Sequence, residues 1–150
     1  MKNKIIIFLA TGAYLGKAPF APGTFGTLLG VPLAWALSTT NPVIAGIIII
    51  AGIIITIPLS SMASKIIGKE DPASVVCDEI IGFAVTCFLI PFTGLNIILA
   101  FILFRFFDIL KPEPVAFFDR MKNGTGIVLD DVAAGVMANI VLQLLLRFVL

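Results

Sequence analysis

Apolar residues run along this chain in long blocks, at Ile5–Leu15, Phe25–Leu37, Val43–Leu59, Ile80–Phe92, Leu95–Phe107 and Val132–Leu150. The Ile-rich block Val43–Leu59 invites comparison with a buried strand, but it lacks period-two alternation. In a membrane only helices and closed barrels satisfy the backbone, so the blocks are predicted to be helices. Several are shorter than the ~20 residues of an ideal span. Polar flanks can carry the helix on into the headgroup layer. Pro58 is expected to kink the end of its block. The first block, about eleven residues, is too short to cross and is expected to be re-entrant or to lie along the interface. The connectors Ser38–Pro42 and Pro91–Gly94 are short, uncharged and rich in turn residues, as in tight hairpins. The expected fold is therefore all-α, a multi-pass membrane bundle of about five to six helices forming one domain over residues 1–150.

Composition supports a membrane class. The 150 residues are 59% hydrophobic and 13% charged, with a mean hydropathy of +1.14, against about a quarter charged in soluble domains. A chain this short has too little interior to bury that much apolar surface in water. The formal net charge of +1 gives no reason to expect nucleic acid. Cys77 and Cys87, the only cysteines, read as small core hydrophobes, with no disulfide framework or zinc spacing. Lys2 and Lys4 before Ile5–Ala10 resemble a signal peptide, but the apolar stretch is short and no clear A-x-A site follows. A helix retained on the protein is expected.

Charge changes the picture most. Among the Lys, Arg, Asp and Glu side chains, only Lys2, Lys4 and Arg147 fall outside three windows: Lys17, Lys65–Glu79 and Arg105–Asp131. If the blocks from Phe25 onward alternate in direction, all three windows lie on one side. Lys17, Lys65, Lys69, Lys111, Arg120 and Lys122 then make that side cytoplasmic by the positive-inside rule, with Arg147 dissenting.

Three segments converge there. Gly16–Thr24 (G-K-A-P-F-A-P-G-T) leads into the helix near Phe25, with Thr24 as its expected N-cap. Amides at that helix start, around Pro22, Gly23 and Thr24, suit a phosphate. Alone, the segment reads more simply as a proline-rich turn. The second segment carries Asp78-Glu79. Adjacent helical residues point about 100° apart, so at least one acid turns toward the bundle interior. Two close carboxylates are hard oxygen ligands suited to Mg²⁺, or else they complement a helix N-terminus. The third holds Arg105, Asp108 and Lys111; Arg105 and Asp108 are i, i+3 and can share one helix face, as can Asp108 and Lys111. An unpaired guanidinium among phenylalanines would be costly there, which argues against a mere surface ladder. Asn123-Gly124-Thr125-Gly126 then delivers Asp130-Asp131 to the next helix start. Glu113, Asp119, Arg120 and Lys122 read as solvated loop charges.

Taken together, G-K-A-P-F-A-P-G-T-F-G-T (16–27), D-E-I-I-G (78–82), F-R-F-F-D-I-L-K-P-E-P (104–114) and G-I-V-L-D-D-V-A-A-G (126–135) resemble the phosphatidylglycerophosphatase A family of small bacterial membrane lipid phosphatases. Ala18 stands where a hydroxyl residue often precedes the proline, and Asn123 where the loop often has a second glycine. The resemblance implies Mg²⁺-dependent hydrolysis of the terminal phosphomonoester of phosphatidylglycerol phosphate, at the cytoplasmic face of the bacterial inner membrane. It carries over Asp78, Glu79, Asp108, Lys111, Asp130 and Asp131, with Arg105 next. In the expected division, Asp78, Glu79, Asp130 and Asp131 hold the metal. Arg105 and Lys111 neutralise phosphoryl oxygens, beside Pro22, Gly23 and Thr24, and Asp108 serves as ligand, base or partner of Lys111.

The chain has no histidine, which excludes histidine-nucleophile lipid phosphatases. It also lacks the C-x₅-R of cysteine phosphatases, the D-x-D of aspartate-nucleophile hydrolases, and the dispersed Asp array of CDP-alcohol transferases. The competing expectation is a small cation-binding transporter, whose acids belong nearer the bilayer midplane than these segment ends.

Overall fold

The computed structural model describes residues 1–149, and these form an all-α structure of seven helices. They are α1 (Lys2–Ala10), α2 (Pro22–Ser38), α3 (Pro42–Ile67), α4 (Cys77–Thr86), α5 (Gly94–Leu110), α6 (Val115–Asp119) and α7 (Gly124–Phe148). The count exceeds the expected five to six because α6 is a five-residue helix, too short to impose a hydrophobic period. Two helices, α3 and α7, are long and apolar enough to cross a membrane. Their 26 and 25 residues give lengths of roughly 39 and 37 Å, beyond a hydrocarbon core of about 30 Å. The nine residues of α1 reach only about 14 Å.

Local chemistry sets the boundaries. In α2 and α3 a proline occupies the first turn, where its missing N–H costs nothing. Asn41, Thr93 and Asn123 accept hydrogen bonds from Val43, Asn96 and Gly126 and so cap α3, α5 and α7. Gly68 ends α3 in the left-handed conformation that glycine adopts freely. Pro58 lies well inside α3, which continues to Ile67. Losing one backbone hydrogen bond there is outweighed by packing of the following turns, where Ala63 meets Ala10, Val75 and Cys77. Conversely, α4 stops at Thr86, short of the predicted Phe92. Asn139 of α7 donates to the Thr86 and Phe88 carbonyls, 2.8 Å each, and so satisfies the backbone where the helix gives out.

The ten-residue α4 is the hub, packed between α2 and α7. At each contact a glycine lets the neighbouring helix come close. A Cβ at Gly135 would lie 2.4 Å from the Gly82 carbonyl oxygen, and one at Gly30 would lie 2.9 Å from the Phe83 ring. Small residues at helix crossings are how membrane bundles gain close van der Waals packing without a hydrophobic drive. Around this contact Phe83, Phe104, Val115, Ala134, Ala138 and Leu142 form the main core. The Phe83 and Phe104 rings meet edge to face, 6.1 Å between centroids.

Replacing Gly135 by Ala therefore forces α4 and α7 apart, since the obstruction is a carbonyl that cannot move alone. Overpacking of this kind costs about 1–3 kcal/mol. The expected outcome is a lower thermal midpoint in detergent, read by circular dichroism, together with lost activity.

Candidate active site

Asp78 and Gly82 are four residues apart on α4, and Asp131 and Gly135 are four apart on α7. Residues at i and i+4 share a helix face. The glycine contact thus carries one acid on each helix, a turn from the crossing, toward the other. The result is a cluster in which carboxylate oxygens of Asp78, Glu79 and Asp131 all lie within 4.8 Å of one another. Asp78 and Asp131 are buried, and the buried Glu79 Oε2 has no hydrogen-bond partner among the described residues.

This cluster forms one wall of a cavity of about 280 Å³ at the end where α2, α4 and α7 begin and α5 finishes. Across it stand Arg105 and Lys111. Arg105 Nη1 donates to Asp108 Oδ2 one turn along α5, which fixes the guanidinium at the mouth. Lys111 caps α5 with a positive φ of 46°, turning its side chain back over the cavity. Its Nζ donates to Asp119 Oδ1 at 2.6 Å and to Asp130 Oδ2 at 2.7 Å. Burial disfavours the Lys111 ammonium, but the hydrogen bonds and charges of Asp119 and Asp130 outweigh it and hold its pKa above the ordinary lysine value. Asp119 is held below the usual carboxylate range by its hydrogen bond from Lys111, against slight burial and with Lys122 adding to the effect. Both groups are therefore charged throughout the neutral range. An ammonium has three donors, so two hydrogen bonds leave Lys111 one for a ligand.

The structure sorts the sequence-predicted residues into distinct places. Asp78, Glu79 and Asp131 form the cluster, whereas Asp130, their expected companion, faces Lys111. Lys111 pairs with Asp119 and Asp130, and Asp108 with Arg105. Pro22 and Gly23 line the cavity. The expected N-cap role of Thr24 does not hold: α2 begins at Pro22 with Ala21 as its N-cap. The Thr24 amide is already bonded to the Ala21 carbonyl at 2.9 Å, and proline has no N–H, so only Gly23 keeps a free amide in that turn among the described residues. Asp130-Asp131 also lies nearly two turns inside α7 rather than at its start, because Asn123 caps the helix at Gly124.

Two residues of the site escape sequence reasoning. Asp119 reads as a solvated loop charge, though it binds Lys111. Asp71 opens the second converging segment, Asp71–Gly82, but is given no role there, and it lines the cavity. Nothing local marks either; the contact with Lys111 spans eight residues and depends on the turn through α6. Glu113 and Arg120 do form the exposed pair expected of loop charges.

Six carboxylates and two cations line the cavity. Such an excess of acids over cations, with Asp78, Asp130 and Asp131 buried, could accommodate a further cation. An all-oxygen donor set with an unpartnered carboxylate oxygen fits a hard divalent ion such as Mg²⁺.

Comparison with known proteins agrees with this chemistry. The family model for Phosphatidylglycerophosphatase A matches residues 8–146. The Phosphatidylglycerophosphatase A of Escherichia coli is 37% identical over 133 residues, spanning 87% of this chain and 77% of its own length. That of Haemophilus influenzae is 40% identical over 139 residues, 91% of this chain and 85% of its own. A Bacteroides thetaiotaomicron protein, provisionally named a phosphatidylinositol-3-phosphatase, is 35% identical over 143 residues, 91% of this chain and 90% of its own. No solved structure matches the chain.

Gly23 offers a test of the cavity geometry. A Cβ there would fall 2.6 Å from Glu79 Oε1 and 2.9 Å from Arg105 Nη1, both ends of flexible side chains. Gly23→Ala should leave the thermal midpoint nearly unchanged while displacing two charged groups. A 1 Å misplacement costs on the order of 100-fold in rate. Phosphate release and thermal unfolding measured on one preparation separate the two effects.

Proposed function

The chain belongs to the phosphatidylglycerophosphatase A family, and from that premise we propose that this cavity removes the terminal phosphate of phosphatidylglycerol phosphate with Mg²⁺ held by Asp78, Glu79 and Asp131. The observation that carries the reading is the three-carboxylate cluster facing Arg105 and Lys111 across one cavity. The cation-transport alternative accounts for the acids but not for cations aimed at the same space.

Phosphomonoester hydrolysis is very slow uncatalysed, and its catalysis is chiefly positioning and charge stabilisation. A bound Mg²⁺ supplies Lewis-acid charge that offsets the phosphate's own. Arg105 presents a planar fork to phosphoryl oxygens, and Asp108 prevents it from swinging away. Lys111 directs its remaining donor at the same group, held by Asp119 from outside and Asp130 from within. Gly23 adds a backbone N–H. Adding water across the P–O bond removes one proton from the attacking water and delivers one to the glycerol oxygen. Asp108 suits the first of these transfers, because it lines the cavity and Arg105 engages only one of its oxygens.

Reading α2, α3, α4, α5 and α7 as alternating in direction, with α4 the short member, gives a multi-pass protein. Its cavity opens at the lysine-rich end, which is cytoplasmic by the positive-inside rule. A phosphate is met there at headgroup level with the acyl chains still in the hydrocarbon.

The test is phosphate release from phosphatidylglycerol phosphate in mixed micelles, with Mg²⁺ or with EDTA. Chelation and Asp131→Asn should each reduce the rate by at least about 100-fold, and Asp108→Asn by about 10²–10⁴-fold, the usual range for losing a general base. Asp119→Asn should cost less, since Asp130 still holds Lys111. Undiminished release by Asp131→Asn in EDTA would end the metal assignment. Phosphatidylinositol 3-phosphate, assayed alongside, reads the headgroup preference.

A further inference from the structure

Of the six carboxylates lining the active cavity, five are engaged: Asp78, Glu79 and Asp131 form the cluster, Asp108 holds Arg105, and Asp130 holds Lys111. Asp71 is the sixth, and it makes no ion pair among the described residues. The chain nevertheless fixes its place. A proline restricts the residue before it to extended backbone, and Pro72 is buried. The Val75 amide closes the turn on the Pro72 carbonyl at 2.8 Å, and the Val76 amide ties the loop to the Ala10 carbonyl at 2.9 Å. From the other side Gly16 approaches so closely that a Cβ would lie 2.3 Å from the Ser74 carbonyl oxygen. Asp71 itself is exposed, so this well-held carboxylate is open to a ligand.

The same loop borders a second hollow. Pro72, Ala73 and Ser74 line it together with Lys17 and Lys69, and no acid does. Pro22 and Ala73 belong to both hollows, so the two adjoin, and Asp71 lies two residues from the shared Ala73. Neither lysine has a carboxylate partner among the described residues. The Lys17 ammonium rests instead 4.9 Å from the centroid of the Tyr14 ring. Across the seam the charges therefore run cation, acid, cation: Arg105 and Lys111, then Asp71, then Lys17 and Lys69.

An acid facing a phosphate site weakens binding, because like charges are brought together. That cost is offset where the ligand brings a hydrogen-bond donor, since a carboxylate is an acceptor. Phosphatidylglycerol phosphate brings one. Its headgroup runs from phosphomonoester to a glycerol carbon bearing a secondary hydroxyl and on to a phosphodiester, an order of charge that complements the seam. Building on the phosphatase reading, we propose that Asp71 is a specificity-determining residue that accepts the hydrogen bond of this hydroxyl. The terminal phosphate then lies in the active cavity, and the phosphodiester turns toward Lys17 and Lys69.

The test pairs the substrate with an analogue built on 1,3-propanediol, which keeps both phosphates and loses only the hydroxyl. Phosphate release from each is followed in mixed micelles for the wild-type chain, Asp71→Ala and Asp71→Asn, so that side chain and hydroxyl form a cycle. The wild type should prefer the natural headgroup by about 10- to 100-fold in kcat/KM, the range for a hydrogen bond to a charged group. Asp71→Ala should lose that preference, through KM more than kcat, and turn over the analogue at least as fast as the wild type, a repelling charge having gone. Asp71→Asn keeps a carbonyl acceptor and should retain part of the preference. Thermal midpoints should stay together, since the side chain is exposed. A wild type indifferent to the hydroxyl overturns the proposal, and so do equal losses on both lipids, which would make Asp71 catalytic or structural. So does a rise of about tenfold or more in the Mg²⁺ that Asp71→Ala needs for half-maximal rate, the mark of a metal ligand. If the wild type releases phosphate from neither lipid, the phosphatase reading has failed, and this inference with it.

Discussion

Everything in this molecule depends on two backbones being allowed to touch. The contact between Gly82 and Gly135 brings α4 against α7 with no side chain between them. Because each glycine follows an aspartate by four residues, the crossing also sets the acids face to face. The same short helix is closed from the other side by Gly26 and Gly30 of α2, which leave no room for a Cβ against Val76 and Phe83. Fold and site are thus one construction: whatever loosens the helix crossing also spreads the carboxylates.

The electrostatics follow from that placement. Bringing acids together in a poorly solvated place is unfavourable unless positive charge answers it. Arg105 and Lys111 answer part of it, each committed to carboxylates outside the three-acid cluster. The cluster itself is left with an unpartnered oxygen on Glu79. The pairing therefore keeps the cations extended over the cavity instead of letting them collapse onto Asp78, Glu79 and Asp131. The proposed metal and phosphate would need that space kept open, and Asp108, Asp119 and Asp130 hold the cations away from it.

Much of this is legible in the sequence. Blocks of apolar residues locate the helical segments, and the confinement of charge locates the end of the bundle that carries the cavity. What composition does not reveal is depth and pairing. Asp130 and Asp131 look equivalent, but adjacent helical positions diverge by about 100°, and one faces Lys111 while the other faces α4. The repeated spacing of Asp78 to Gly82 and Asp131 to Gly135 is also present in the sequence, yet it gains meaning only once the two glycines are seen to touch. The role of Asp119 is not legible, since it depends on how the chain turns between α5 and α7. Nor is the early end of α4, which is set by Asn139 from another helix.

The cavity opens where helices begin and end, not in the middle of the bundle. For a lipid that never leaves its film, supply is then counted per unit area and not per unit volume. Collisions happen in two dimensions, and adding inert lipid dilutes the substrate even when the amount in the tube is fixed. Under the proposed reading, a protein with its reactive groups at that level would work as a gleaner of a surface, its pace set by how crowded that surface is with its substrate.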